Sequence, residues 1–485
     1  MISYVYIIFL LITAIHATIF HLPVNKCPQE DSLRKCFDQH YIKGSVHFRD
    51  DFVDYNKDIK FEYNRLVIYF PVAFVHPVDI LDIQNTIRCG VKLNFPIVAR
   101  SGGHSYEGYS IGDKDCYLVV DLVNFNKITV NTTSQIAIVE TGNILESLHY
   151  KLSQLSFAFP AGICSNIGVG GLILGGGMGF LNRKFGMSSD NILDAQIVLA
   201  NGTVVNNAKE YPELLWAIRG AGNFGYGIVT ALTLRIHPIQ KIATFFHFIY
   251  DFDQTPLVFS VVNQLGNNLY QNLTLLTKMG ISQRSTYVYG VYLGSVYELQ
   301  SYIQDFIKLS KPKNVSYTED ESYNVLMLID GFDPPKAGFF KVKSFFIDST
   351  GISYEGVRYI MRFVESLKCH LHFNVLLIGG GRVNEIKRKE TAFVHRGFLY
   401  HIEIKIFVTS KTCIQELENF SHHFQRRYAN FESYQNINDK QLDNWQCRYY
   451  GENFEKLVKI KREYDPYNLF RWNQSIPTNT EISCY

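Results

Sequence analysis

The chain has 485 residues, 47% hydrophobic and 19% charged, with a formal net charge of +2. That length points to more than one domain, and the near-neutral charge excludes the electrostatic footprint of a nucleic-acid or polyanion binder. No internal repeat or low-complexity linker is present, which excludes solenoid and array architectures. The first feature is an apolar run over residues 4–15, ending near Ala14-Ile15-His16-Ala17. At about 1.5 Å per residue it spans roughly 18 Å, well short of a hydrocarbon core of about 30 Å. It reads as a signal peptide, residues 1–17, cut after Ala17, although no Lys or Arg precedes it; an uncleaved anchor is the alternative. Six N-x-Ser/Thr sequons, at Asn131, Asn201, Asn272, Asn314, Asn419 and Asn473, agree with a secreted protein or one of the secretory lumen.

Residues 32–39 and 80–89 read as helices carrying Cys36 and Cys89. Strands are expected over 96–99, 117–121 and 136–140. A helix over 144–155 places Ile144, Leu145, Leu148, Leu152 and Leu155 on one side. A strand over 194–199 closes at the Asn201-Gly202 turn and continues as a strand over 203–205, followed by a short helix over 212–218. From about 241 to 440, apolar strands alternate with longer helices, such as 298–309 and 354–367. This pattern predicts an antiparallel sheet backed by helices.

Three glycine-rich segments punctuate the first half. The first, Arg100-Ser101-Gly102-Gly103-His104-Ser105-Tyr106-Glu107-Gly108, follows a strand-like run, and its Gly-Gly turn is suited to an anion-binding nest. The second holds Cys164 and then seven glycines between Gly168 and Gly179. So many glycines are expected to form neither a stable helix nor an ordinary strand. The run lacks the G-x-G-x-x-G register of a dinucleotide fingerprint and the Gly-Lys-Ser/Thr of a phosphate loop. The third runs from Arg219 through Gly220, Gly222, Gly225 and Gly227 into Ile228-Val229-Thr230. On composition alone these are glycine-rich surface loops with a buried thiol.

Taken together, the first two segments resemble the covalent-flavin oxidases of the berberine bridge enzyme type. There R-S-G-G-H-x-Y-x-G carries a histidine bonded to the flavin 8α-methyl, and G-x-C-x-x-x-G-V-G-G carries a cysteine bonded to C6. The resemblance implies FAD attached covalently to His104 and Cys164, with Arg100, Ser101, Gly102, Gly103, Ser105, Gly168, Gly170 and Gly171 around it. The stretches ending in Asn191, in Ile228 and in Asp465-Pro466-Tyr467-Asn468 match further family segments, so Asn191, Ile228 and Asn468 join the cofactor-binding set. The implied fold is α+β. It comprises a two-part FAD-binding domain of the PCMH/vanillyl-alcohol-oxidase type (18–240, core about 68–240) and an antiparallel-sheet substrate domain backed by helices (241–440). A closing segment (441–485) returns to the FAD domain. A Cys36–Cys89 disulfide is implied by the same family. Cys27, Cys116, Cys369, Cys413, Cys447 and Cys484 have no assigned pairing and read as buried small hydrophobes.

Residues two apart in a strand share a face, so His401, Glu403 and Lys405 lie on one side of the strand at 398–407, opposite Tyr400, Ile402, Ile404 and Ile406. By pattern this is a half-buried strand with a solvent face; by resemblance the polar face looks toward the flavin. Glu403 is then the first candidate for general base, with His401 tuning it or binding substrate. Tyr434, in Tyr434-Gln435-Asn436-Ile437-Asn438-Asp439, is the second candidate. Three departures from the family stand out: Leu172 where a histidine is usual, Met178 where many members have tyrosine, and Ile167 at the position that gates oxygen access in relatives. The implied reaction removes hydride from a C–H next to oxygen or nitrogen, with reoxidation by O2 or another acceptor. The substrate is a sugar or oligosaccharide, a small alcohol, or an alkaloid-like metabolite; a flavin-retaining binding glycoprotein is the alternative from another class. Neither nucleic acid nor a stable membrane span is expected as a partner, and no metal site is expected, since no Cys/His pair shows zinc-ligand spacing such as C-x-x-C.

Overall fold

The computed structural model describes residues 26–222, 225–280, 284–322, 324–326 and 337–484; the expected signal peptide lies outside them. Three larger sheets, beside a two-stranded pairing of Phe157–Ala158 with His237–Pro238, organise the described chain. The first has four strands in the order Ser45–Phe48, Ala73–His76, Leu118–Asp121, Ile97–Arg100. Its last three strands are parallel. Parallel strands are covered on both faces, and these are nearly all apolar. Val75, Ile97, Leu118 and Val120 pack against helices Glu30–His40 and Ile80–Leu93. Phe74, Val98 and Val119 pack on the other side against Tyr55 and Ile59 of helix Phe52–Lys60.

The second sheet is antiparallel, in the order Ile128–Asn131, Ile136–Glu140, Gly227–Arg235, Ile192–Leu199, Val204–Val205. The third is a seven-stranded antiparallel sheet, in the order Asn314–Glu321, Ile242–Asp251, Ser285–Tyr292, Leu273–Gly280, Leu371–Leu377, Phe398–Phe407, Phe340–Asp348. One face of it buries Tyr400, Ile402, Ile404 and Ile406 against helices Thr255–Leu265, Val296–Ser310, Tyr354–Ser366 and Lys411–Tyr428. Helix Tyr354–Ser366 shows why this works. The Ser353 hydroxyl accepts from the Gly356 N–H at 3.2 Å, and Val357, Ile360, Met361 and Val364 recur at helical spacing on the buried side. Burying each such side chain contributes about 1.5–3 kcal/mol. The predicted sheet backed by helices is therefore present, and the strand expected at 398–407 has those bounds.

Two expectations are corrected. The glycine run does contain a helix, Val169–Leu174. It is only six residues long, and Val169, Ile173 and Leu174 are buried in the core of the second sheet; that packing overrides the glycine propensity. The unassigned cysteines are not isolated hydrophobes. Cys27–Cys116, Cys369–Cys413 and Cys447–Cys484 are disulfides, alongside the implied Cys36–Cys89. Their partners lie 37 to 89 residues apart in the chain, a separation that carries no local signal. Cys164 stays outside all four.

The chain end returns to the beginning. Helix Phe454–Tyr464 packs on helix Pro212–Ile218. Leu469 and Phe470 join the core of the first sheet, and the Ile97 N–H donates to the Leu469 carbonyl at 3.1 Å. Among the described residues no helix is long and apolar enough to cross a membrane.

The Cys36–Cys89 bridge spans a sequence separation of 53 and ties the first helix to Ile80–Leu93. Loop-closure entropy makes that worth about 4 kcal/mol. Replacing both cysteines by alanine should lower the thermal unfolding midpoint while leaving the other three bridges intact by non-reducing peptide mapping.

Candidate active site

Strand Ile97–Arg100 ends at a buried guanidinium. Arg100 Nε donates to Asp121 Oδ2 at 2.5 Å, Nη2 to Asp58 Oδ1 at 3.2 Å, and Nη1 to the Asp58 carbonyl at 2.7 Å and Glu62 Oε1 at 3.4 Å. This cluster pins the point where the chain leaves the sheet. The next residues form the Ser101-Gly102-Gly103-His104 turn, with Gly103 at φ 63°. Gly102 meets Gly168 backbone to backbone; a Cβ on Gly102 would sit 2.3 Å from the Gly168 nitrogen. Ser101 locks the contact, its hydroxyl donating to the Thr141 carbonyl at 2.5 Å and accepting from the Gly170 N–H at 3.3 Å. Both glycine segments are thus held against one another.

Between them and the polar face of the third sheet lies a cavity of about 610 Å³. Ser101, Gly102, Gly103, His104, Ser105, Cys164, Gly168, Gly170 and Gly171 line one side, and His401, Glu403 and Tyr434 line the other. The candidate base, the second candidate and both candidate attachment residues therefore share one space. Four residues of the predicted set do not line it. Arg100 is occupied by its carboxylates. Asn191 donates to the Phe185 and Met187 carbonyls and contacts His237. Ile228 points into the core of the first sheet, whereas Gly227 and Val229 face the cavity. Asn468 borders a separate surface pocket with Tyr69, Lys114 and Arg471.

The charges in the cavity are set by burial. His104 stacks on Tyr63 with ring centroids 4.5 Å apart, and the Tyr63 hydroxyl accepts from Lys405 Nζ at 2.7 Å. Burial first, and Lys405 second, push the His104 pKa down to about 4, which leaves a neutral imidazole with an available lone pair. His401 is fully buried and contacts Ser344 Oγ at 3.0 Å; burial, then His395, push its pKa down to about 3. Burial raises Tyr434 above the ordinary phenol range, although its oxygen accepts from the Gly177 N–H at 2.8 Å and from Asn436 Nδ2 at 2.9 Å. Glu403 lies mid-strand, with Ser344 and Asn374 directly opposite on its two neighbouring strands.

Several residues of the site carried no sequence signal. Gln435 Nε2 donates to the Gly175 carbonyl at 3.0 Å and the Gly220 carbonyl at 2.6 Å, and its Oε1 lies 3.0 Å from His395 Nε2. One side chain thus ties the second and third glycine segments to the Tyr434 segment. Lys341 and Lys343, at the edge of the third sheet, both bind Asp439, at 3.1 and 2.5 Å, and Lys341 also binds Glu107. Two lysines at strand spacing were visible in the sequence, but their shared acid is about a hundred residues away.

The cavity suits a large flat cofactor. A side chain on Gly171 would meet nothing within 4 Å, so the backbone there is open to the cavity. The buried Asn374 Oδ1, also at the cavity, has no hydrogen-bond partner among the described residues. A glycine cradle, one neutral imidazole, one thiol and a polar floor together define a flavin-binding oxidoreductase site. The family profile described as an FAD binding domain matches residues 71–207, and the profile described as berberine and berberine like matches 433–477. Berberine bridge enzyme-like 27 of Arabidopsis thaliana is 30% identical over 456 residues, covering 84% of this chain and 83% of the relative. The structure of Physcomitrella patens BBE-like 1 superposes with a TM-score of 0.85 at 31% identity, covering 93% of this chain and all of that one. The chain belongs to the berberine bridge enzyme-like family of FAD-dependent oxidoreductases. The glucooligosaccharide oxidase of Acremonium strictum, described with a 6-S-cysteinyl, 8α-N1-histidyl FAD, shares the fold at a TM-score of 0.82 and 22% identity, covering 92% of this chain and 99% of that one.

Glu62, beside Arg100, gives the site a pH signature. Burial raises its pKa from 4.5 to about 7, against the pull of Arg100. The folded state therefore holds a proton that the unfolded state has lost, and stability falls by about 3 kcal/mol as pH rises from about 4.5 to 7. Glu62→Gln should flatten that slope. Urea midpoints at pH 5 and pH 8 check this, and an unchanged slope in the variant would refute it.

Proposed function

We propose that this chain is a secreted oxidoreductase holding FAD by two covalent bonds, to His104 Nδ1 or Nε2 and to Cys164 Sγ. It oxidises a C–H bond next to oxygen or nitrogen in a sugar, an oligosaccharide or a small alcohol. The observation that carries the reading is the convergence of His104, Cys164, Glu403 and Tyr434 on one cavity. When bound, FAD supplies the hydride acceptor, and O2, yielding hydrogen peroxide, is the expected reoxidant. Ser101, Gly102 and Gly103 with Gly168, Gly170 and Gly171 cradle the cofactor. Arg100, Asn191, Ile228 and Asn468 support it indirectly, by holding the elements on which it rests.

The two candidate bases take different roles. The Tyr434 oxygen already accepts two hydrogen bonds, and burial holds its proton on. That proton is left to point at the substrate, so Tyr434 donates to and positions a substrate oxygen. Glu403 removes the proton from the substrate heteroatom. His401, whose pKa burial pushes down to about 3, links Ser344 to this face and orients it. Two covalent anchors on this fold parallel the Acremonium enzyme. Ile167 lines the cavity beside Cys164, in agreement with a role in oxygen access. The four disulfides accord with an oxidising compartment. Met178 and Leu172 line the cavity where tyrosine and histidine are usual; Met178 argues against an aromatic-alcohol oxidation built on a tyrosine pair, and Glu403 favours the second reading, an alkaloid-like metabolite.

Acid precipitation of the purified protein should leave the yellow colour in the pellet. His104→Ala and Cys164→Ala should each retain FAD, and the double variant should release it. Glu403→Gln should lower the anaerobic rate of flavin bleaching by about 10²–10⁴-fold. Tyr434→Phe should act mainly on KM, by about tenfold, the effect of one hydrogen bond. Unchanged bleaching in Glu403→Gln would remove the base assignment.

A further inference from the structure

Beside the Arg100 cluster, among residues that do not line the cavity, two imidazoles converge on one carboxylate oxygen. His47 Nδ1 lies 2.8 Å from Asp58 Oδ2, and His76 Nε2 lies 3.1 Å from the same atom. The three residues come from three elements. His47 and His76 sit on neighbouring antiparallel strands, where the register Ser45↔His76 and His47↔Phe74 puts them diagonally on one face. Asp58 descends from helix Phe52–Lys60. Their ligand atoms all lie within 4.8 Å of one another, and Asp58 and His76 are buried while His47 is half-exposed. We propose that His47, Asp58 and His76 form a binding site for a divalent metal ion of the zinc type, completed by water.

Three features carry this. The first is donor geometry. Zinc at its usual distances from nitrogen and oxygen places tetrahedral ligands about 3.3 Å apart. The two contacts to Asp58, at 2.8 and 3.1 Å, are slightly shorter than that, so a metal would enter by spreading the three ligand atoms and turning the ring nitrogens from Oδ2 toward it. Each imidazole needs only to shift its proton to the other ring nitrogen. The second is charge. In the contacts of the cluster one cation, Arg100, faces three carboxylates, Asp58, Glu62 and Asp121. Even with Glu62 protonated, the carboxylates exceed the cation by one, and a buried excess of that kind favours a counter-cation. The third is the approach. Asp51 and Asp54 gather around the same His47 ring, their ligand atoms within 4.8 Å of it and of each other, and Lys57 offsets one of these charges by pairing with Asp54 at 2.6 Å. The remaining negative charge there draws a cation toward the site. An N2O donor set with water suits zinc better than calcium or magnesium, which take oxygen ligands. No local spacing announces the site, because the ligands are separated by 11 and 18 residues in the chain.

The ligands lie outside the lining of the cavity, and the test does not use activity. The secreted, flavin-loaded protein is stripped with a chelator, titrated with zinc chloride against a chromophoric competitor, and dialysed for metal analysis. One zinc per chain is expected, with a thermal midpoint raised by about 2–3 °C at a hundredfold excess over Kd. His47→Gln is the main variant, since its amide can still donate to Asp58 while a ligand is lost. It should weaken zinc by at least tenfold and abolish the thermal shift, and His76→Gln should do the same. His370→Ala with His372→Ala, a histidine pair elsewhere on the protein, should change neither. Absence of zinc at micromolar concentration in the wild type, or equal binding in His47→Gln, would overturn the proposal and leave a carboxylate held by two imidazoles.

Discussion

The backbone contact between Gly102 and Gly168 is the constraint on which the site depends. With a Cβ in place, either residue would overlap the other's main chain at 2.2–2.3 Å. Glycine at both positions lets the strand end at Arg100 and the short helix Val169–Leu174 approach as closely as two backbones can. Ser101 then bridges them, and His104 and Cys164 face one volume from opposite segments. A spread-out version of the same residues would give two unrelated loops.

The third sheet supplies the opposite wall by the simplest device a strand has. Alternation along Phe398–Phe407 buries four large apolar side chains against helices and leaves His401, Glu403 and Lys405 on the other face. In an isolated sheet that face would be wet. Here the glycine loops cover it, so burial acts on everything between them, and His104 and His401 are both held neutral. The chemistry of the cavity is then set by which groups keep a charge despite burial.

Much of this was legible in the sequence because the informative residues are local. The glycine motifs, the histidine and cysteine within them, and the alternation at 398–407 can each be read in a short window. The elements around them were read to within a few residues, as with the helix over 144–155, which is Leu145–Ser153. What the sequence hid was long-range. Three disulfides join distant cysteines, Gln435 reaches two loops more than two hundred residues away, and Asp439 is claimed by two lysines from another element. The helix at Val169–Leu174 was missed for a related reason: its stability comes from the core it enters, while its composition argues against it. Motif matching also carried Ile228 and Asn468 into the predicted set, although their side chains turn away from the cavity.

The Asp439 junction has a consequence for how a substrate gets in. Three carboxylate–ammonium contacts, Asp439 with Lys341, Asp439 with Lys343 and Glu107 with Lys341, are buried where the Tyr434 segment meets the sheet edge. Pulling that segment away would strip partners from charges with no water to replace them, at about 3–5 kcal/mol for each broken pair. This rim of the cavity therefore behaves as a welded seam. Near that seam His370, His372 and Phe407 also line the cavity, and His370 and His372 stand partly in solvent, so the wall there is held far less tightly.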